Sequence, residues 1–166
     1  MILKGRVWKF GDNVNTDEII AGKRLLTLNF EEIAKYAFEA IKPDFAAKVK
    51  PGDIIIAGDN FGCGSSREQA PIVIKKLGVS AVIANYFARI FFRNAINIGL
   101  PLIEAPGAHQ AIREGDILEI NLTAGLIKDL NSNTEIHFKK IPQFLTEILS
   151  EGGVINYLKK NGKFKI

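Results

Sequence analysis

Residues 53–57 and 79–84 are short runs that, apart from Asp53 and Ser80, are apolar with no polar alternation, and each is followed by a stretch of helical periodicity. A strand that is apolar on both faces must be covered on both, as in a parallel sheet flanked by other layers. The first helical stretch, 66–77, offers Ala70, Ile72, Val73 and Ile74 as its apolar surface and ends at Gly78, glycine being a common helix terminator. The second, 87–97, is stopped by Gly99, and residues 100–103 form a third strand. This β-α-β-α-β run with short connections predicts a parallel core.

Around that core the chain changes character. Residues 7–10 read as a first strand, 11–13 as a polar turn and 21–29 as a loop after Ile19-Ile20. Phe30, Ile33, Ala34, Ala37 and Phe38 recur at helical spacing and predict a helix over 30–38. Pro43 opens a short helical piece ending near 49, before a turn at Pro51-Gly52-Asp53. Downstream, 117–122 and 134–138 read as strands, with 125–127 a candidate third between them, and short helices are expected over 143–149 and 154–160. The expected architecture is one α/β domain over 1–166, its mixed sheet having a parallel core and an antiparallel, barrel-like part, flanked by helices. A chain of 166 residues is long enough to bury a substantial core.

The scarce residues narrow the chemistry. Cys63 is the single cysteine and His109 and His137 the two histidines, so an internal disulfide, a self-contained metal centre or a Cys/His hydrolase is not expected. The net charge of +4 suits an anionic ligand without pointing to nucleic acid. Lys159, Lys160, Lys163 and Lys165 near the carboxyl end read as a solvated end, because no aromatic platform accompanies them. The amino terminus lacks a signal-peptide pattern, and the most apolar stretch, 81–92, is interrupted by Asn85 and Arg89. A cytoplasmic setting and no membrane span are therefore expected.

The chemistry concentrates in Gly58-Asp59-Asn60-Phe61-Gly62-Cys63-Gly64-Ser65-Ser66-Arg67-Glu68, between a strand and a helix. In open α/β sheets this carboxyl end of a strand is where ligands bind. Three readings stand side by side. Ser65 to Glu68 fits a Ser-x-x-Glu capping box. Gly62-Cys63-Gly64 begins like a dinucleotide fingerprint, but Arg67 stands where the third glycine belongs and no acidic residue follows the next strand. That would make the chain a stand-alone anion- or nucleotide-binding module. The third reading is a carboxylate-binding catalytic loop. Glycines let the backbone approach a ligand, Arg67 offers a planar fork, and amides, dipole and guanidinium together would stabilise a serine alkoxide.

Gly62-Cys63-Gly64-Ser65-Ser66-Arg67-Glu68-Gln69-Ala70-Pro71 resembles the signature of the aconitase swivel-domain family, in the form of the small subunits of 3-isopropylmalate dehydratases. Three further stretches match in order: 11–17 (Gly-Asp-Asn-Val-Asn-Thr-Asp), 87–95 (Phe-Ala-Arg-Ile-Phe-Phe-Arg-Asn-Ala) and Gly99-Leu100-Pro101-Leu102. The resemblance implies an aconitase-like swivelling β/β/α domain and a hydro-lyase that moves a hydroxyl between neighbouring carbons of a di- or tricarboxylate. It implies a [4Fe–4S] cluster held by a separate large subunit, without which this chain is inactive. It makes Ser65 the general base, Ser66 and Arg67 the holders of a substrate carboxylate, and Asp17, Gly62 and Gly64 supporting residues. Cys63 is read as neither ligand nor catalyst.

By the same resemblance, substrate choice lies in 21–29. Relatives acting on isopropylmalate or homoaconitate often have Tyr-Leu-x-Thr/Tyr there, and this chain has Arg24-Leu25-Leu26-Thr27. Leu26 suits a branched apolar group, which favours isopropylmalate and so leucine biosynthesis. Arg24, in place of the tyrosine, keeps homoaconitate and dimethylmalate open. Arg89 and Arg93, one helical turn apart, are read as structural support or subunit contact rather than substrate ligands.

Overall fold

The computed structural model describes residues 1–164; Lys165, the last of the four lysines noted above, lies outside the described residues. Seven strands form one sheet in the order β4-β3-β2-β1-β5-β6-β7. They are β1 (Ile2–Lys9), β2 (Ile54–Ile56), β3 (Ala81–Ala84), β4 (Leu102–Glu104), β5 (Ile117–Asn121), β6 (Leu126–Asp129) and β7 (Glu135–His137). Strands β1 to β4 pair in parallel, and β1, β5, β6 and β7 pair antiparallel. β1 belongs to both halves: Val7 to Lys9 pair with β2, and Ile2 to Arg6 with β5.

Successive residues of a strand point to opposite faces, and the parallel strands divide accordingly. Trp8, Ile55, Val82, Ala84 and Leu102 enter one buried cluster, while Val7, Ile54, Ile56, Ala81, Ile83 and Ile103 enter another. The first cluster is closed by helices, through Ile33, Ala34, Ala70, Val73, Ile74, Phe91 and Ala95. The second is closed by the antiparallel strands, through Leu118, Ile120 and Ile127. The sheet therefore curls over itself as a half-barrel, with helices on its other face. The expected mixed sheet, with a parallel core and a barrel-like antiparallel part, is what forms.

The helices are α1 (Thr16–Ile19), α2 (Phe30–Ala34), α3 (Phe45–Lys48), α4 (Gln69–Lys76), α5 (Arg89–Asn97), α6 (Ala108–Ala111), α7 (Gln143–Ser150) and α8 (Val154–Asn161). None is long and apolar enough to cross a membrane. Several differ from expectation for local reasons. The helix expected over 30–38 stops at Ala34, and its chain turns on to Phe38, whose φ of 58° is left-handed. That rare conformation is held by the packing of the wholly buried Phe38 ring on Phe10 and Phe45. β1 starts five residues before the expected strand, because its first half is half-exposed and lacks an apolar run. α1 and α6 are single turns, too short to show a period.

Candidate active site

The glycine-rich loop follows β2 and is gripped from both sides. On one side Phe61 N–H donates to the Tyr86 carbonyl, and Ala88 N–H donates to the Phe61 carbonyl. On the other, Gly62 N–H donates to the Val14 carbonyl and Thr16 N–H to the Cys63 carbonyl. The Phe61 ring is wholly buried against Phe38, Phe87 and Phe91, plugging the core beneath the loop. Gly62 has φ +81°, and a Cβ there would lie 2.2 Å from the Phe91 ring, so only glycine fits. Gly64, at φ +89°, turns the chain outward again.

Ser65 and Ser66 come next, exposed, and neither hydroxyl has a hydrogen-bond partner among the described residues. The Ser65–Glu68 capping box does not form. α4 begins at Gln69, after Glu68, with no side-chain cap, so both serines precede the helix rather than start it. The capping box of this region is instead Asn15–Glu18 at the start of α1, where Asn15 Oδ1 accepts from Glu18 N–H and Glu18 Oε2 from Asn15 N–H, each at 2.9 Å.

α1 in turn holds the arginine. Arg67 Nη1 donates to Asp17 Oδ1 at 2.8 Å and to the Ile20 carbonyl at 2.9 Å. Asp17 Oδ1 also accepts from Gly22 N–H at 3.2 Å. The Gly22 amide and the Arg67 guanidinium keep the Asp17 carboxyl below its ordinary range. Arg67 Nη2 and Nε bond no other residue described. One edge of the guanidinium is therefore anchored and the rest is available to a carboxylate.

A cavity of about 330 Å³ opens over these groups, lined by Ser65, Ser66 and Arg67 on one wall and by Arg89, Ile90 and Asn94 on the other. The start of α5 thus faces the serines, its first turn without a side-chain cap. Arg89 is exposed, and its side chain has no hydrogen bond or ion pair among the described residues. Arg93 does not line this cavity. The reading of both arginines as support or subunit contact passed over Arg89's place beside the serines, because helical spacing says nothing about which loop a helix end faces.

Beyond Gly22, the loop 21–29 stands apart. Arg24 Nε and Nη2 bind the two Glu39 carboxylate oxygens at 3.0 and 2.7 Å, and its guanidinium lies over the Tyr36 ring, 3.8 Å from the centroid. Lys23 Nζ lies 3.8 Å from the same carboxylate. The Arg24 guanidinium keeps the Glu39 carboxyl below its usual range. Neither Arg24 nor Leu26 lines the serine cavity, and Leu26 is 92% exposed. Among the described residues no three His, Cys, Asp or Glu side chains converge as a metal site. Cys63 faces the Asn13 carbonyl at 3.5 Å.

Residues 9–106 match the model of the aconitase C-terminal domain. The chain is 55% identical over 159 residues to the small subunit of an isopropylmalate/citramalate isomerase from Methanocaldococcus jannaschii, covering 96% of this chain and 95% of that one. It is 54% identical over 164 residues to a 3-isopropylmalate dehydratase small subunit from Thermotoga maritima, 98% of each being covered. The crystal structure of a 3-isopropylmalate dehydratase from Methanocaldococcus jannaschii superposes with a TM-score of 0.92 at 51% identity, covering 98% of this chain and 96% of that one.

Proposed function

The chain belongs to the aconitase C-terminal domain family, among the small subunits of 3-isopropylmalate dehydratases, and from that we propose that it is one half of a hydro-lyase. It completes, with a larger subunit, an enzyme that interconverts 2- and 3-isopropylmalate by dehydration and rehydration. The observation that carries the reading is the wall of Ser65, Ser66 and Arg67. Two hydroxyls without partners among the described residues and a half-anchored guanidinium face one open cavity.

Ser65 Oγ is the base that takes a proton from the carbon beside a carboxylate and returns it on rehydration. A serine hydroxyl is a poor base unless its ionised form is stabilised. Here Arg67, the unpaired Arg89 and the uncapped start of α5 all supply positive potential. Arg67 binds one carboxylate through the nitrogens that Asp17 and Ile20 leave unused, and Ser66 adds a donor. The resemblance also implies a [4Fe–4S] cluster, but the lone thiol and the lack, among the described residues, of a converging ligand set do not fit one. The larger subunit must hold it.

The loop 21–29, whose Arg24 and Leu26 do not line the serine cavity of this chain, is read as meeting the substrate only in the assembled enzyme, where it supports one with two carboxylates. Its cations, Lys23 and Arg24, are turned to Glu39, which leaves exposed Leu26 and Leu28 as what the loop offers. This suits an apolar substituent and disfavours homoaconitate, whose third carboxylate would need a partner. Citramalate, with a methyl group, is a second reading, favoured by the name of the Methanocaldococcus relative.

The test is to purify the chain with its larger subunit, reconstitute iron and sulfide, and follow alkene formation on a panel of substituted malates. Turnover of isopropylmalate or citramalate, but not of homocitrate, is expected, and Ser65→Ala should lower kcat at least about 10²-fold with assembly intact. No turnover on any substrate would overturn the reading.

A further inference from the structure

We propose that Thr16 is a positioning residue for the serine base. Its hydroxyl donates to the Ser65 carbonyl at 2.7 Å, across 49 residues of sequence. From Gly64 to Ser66 this is the one hydrogen bond that the main chain makes among the described residues. Without it, the segment that carries the base would run unpinned from Cys63 to Arg67, starting at a glycine in the left-handed region.

Thr16 is itself well anchored. Its N–H donates to the Cys63 carbonyl at 2.9 Å, and its carbonyl accepts from Ile20 N–H at 3.0 Å. It follows directly on the Asn15 cap of α1. It is also one of three buried polar side chains among the described residues, with Asp53 and Asp129. Asp53 ties Trp8 to the Lys50 amide and Asp129 closes a turn, whereas Thr16 holds the site loop. A buried hydroxyl needs a partner, and the partner here is the carbonyl of the residue whose Oγ must meet the substrate.

The Ser65 carbonyl direction sets the backbone dihedrals from which the side chain springs, so releasing it lets Oγ wander. Misplacing a reacting group by about 1 Å can cost about 10²-fold in rate. The loss should fall on kcat, because Arg67 keeps its own anchors on Asp17 and Ile20 and still binds carboxylate.

This inference rests on Ser65 being the base, and two readouts separate their failures. In the assembled enzyme, Thr16→Ala should lower kcat about 10²-fold with KM within about two-fold, and Thr16→Ser should restore most of the rate. In the isolated chain, backbone amide order parameters measured by NMR over residues 64–66 should fall in Thr16→Ala and not in Thr16→Ser. Thr16→Val repeats the comparison if Thr16→Ala does not fold. Unchanged kcat, a loss carried by KM, or order parameters that ignore the hydroxyl overturn the proposal. If the wild-type assembly turns over nothing, the enzyme reading fails and the order-parameter comparison alone decides Thr16.

Discussion

Arg67 has two duties, and the geometry separates them by atom. Nη1 is tied to Asp17 and the Ile20 carbonyl, while Nε and Nη2 are unclaimed among the described residues. A lysine carries the same charge but cannot fork, so it must choose between anchor and ligand. Arg67→Lys is therefore expected to raise KM for the dicarboxylate by at least about ten-fold, the cost of losing one charged hydrogen bond. Its melting temperature should stay within a few degrees of wild type, because the half-buried Arg67 side chain gives way to a lysine that can still reach the Asp17 carboxylate. Steady-state kinetics on the assembled enzyme reads the first and calorimetry the second; an unchanged KM would remove Arg67 from carboxylate binding. At this scale the sequence was legible where residue types were distinctive, as in Ser65-Ser66-Arg67. It was silent on Thr16, whose role depends on a contact 49 residues away. It also gave no sign that Arg24 pairs with Glu39, 15 positions later. Neither spacing is a helical or strand period, so no pattern along the chain could reveal them.

The elements that were easiest to read were those whose burial imposes a pattern. β2 and β3 are wholly buried and appear as unbroken apolar runs, and α4 and α5 lie close to where their periodicity placed them. The β6–β7 turn is the opposite case, since it is held by a side chain rather than by a pattern. Asp129, 1% exposed, accepts from Asn131 N–H at 2.8 Å and from the Ser132 hydroxyl at 2.5 Å. Burial pushes its carboxyl up, but the Ser132 hydroxyl and the Asn131 and Ser132 amides outweigh this and hold it below its ordinary value. A carboxyl so depressed adds stability that is complete above its unfolded-state pKa of about 3.9 and fades as pH falls through the folded-state value. Asp129→Asn should cost about 2 kcal/mol at neutral pH, the worth of hydrogen bonds to a charged acceptor. The gap to wild type should close as pH falls below about 4. Urea unfolding across that range checks both; a gap that persisted in acid would mean that shape rather than charge holds the turn.

Across the whole molecule, the sheet divides labour. The helix-covered face carries the site, because the loops after β1, β2 and β3 meet at one edge and Phe61 packs beneath them. The half-barrel face is closed by Leu118, Ile120 and Ile127 and lines no part of the serine cavity. Stability and catalysis should therefore separate by face. Ile127→Val removes one methylene from the half-barrel core and Phe61→Leu removes part of a ring under the loop. Each should cost on the order of 1 kcal/mol. Only Phe61→Leu should also lower kcat, because Phe61 touches the Phe87 and Phe91 rings and its main chain links the loop to the segment leading into α5. Relaxing it lets the serine wall and the Arg89 wall drift apart, and the positive potential that stabilises the Ser65 alkoxide falls steeply with distance. Melting curves together with kcat of the assembled enzyme measure the two effects independently. Equal kcat losses for both variants would show that the faces are coupled, and that the half-barrel does more than close the core.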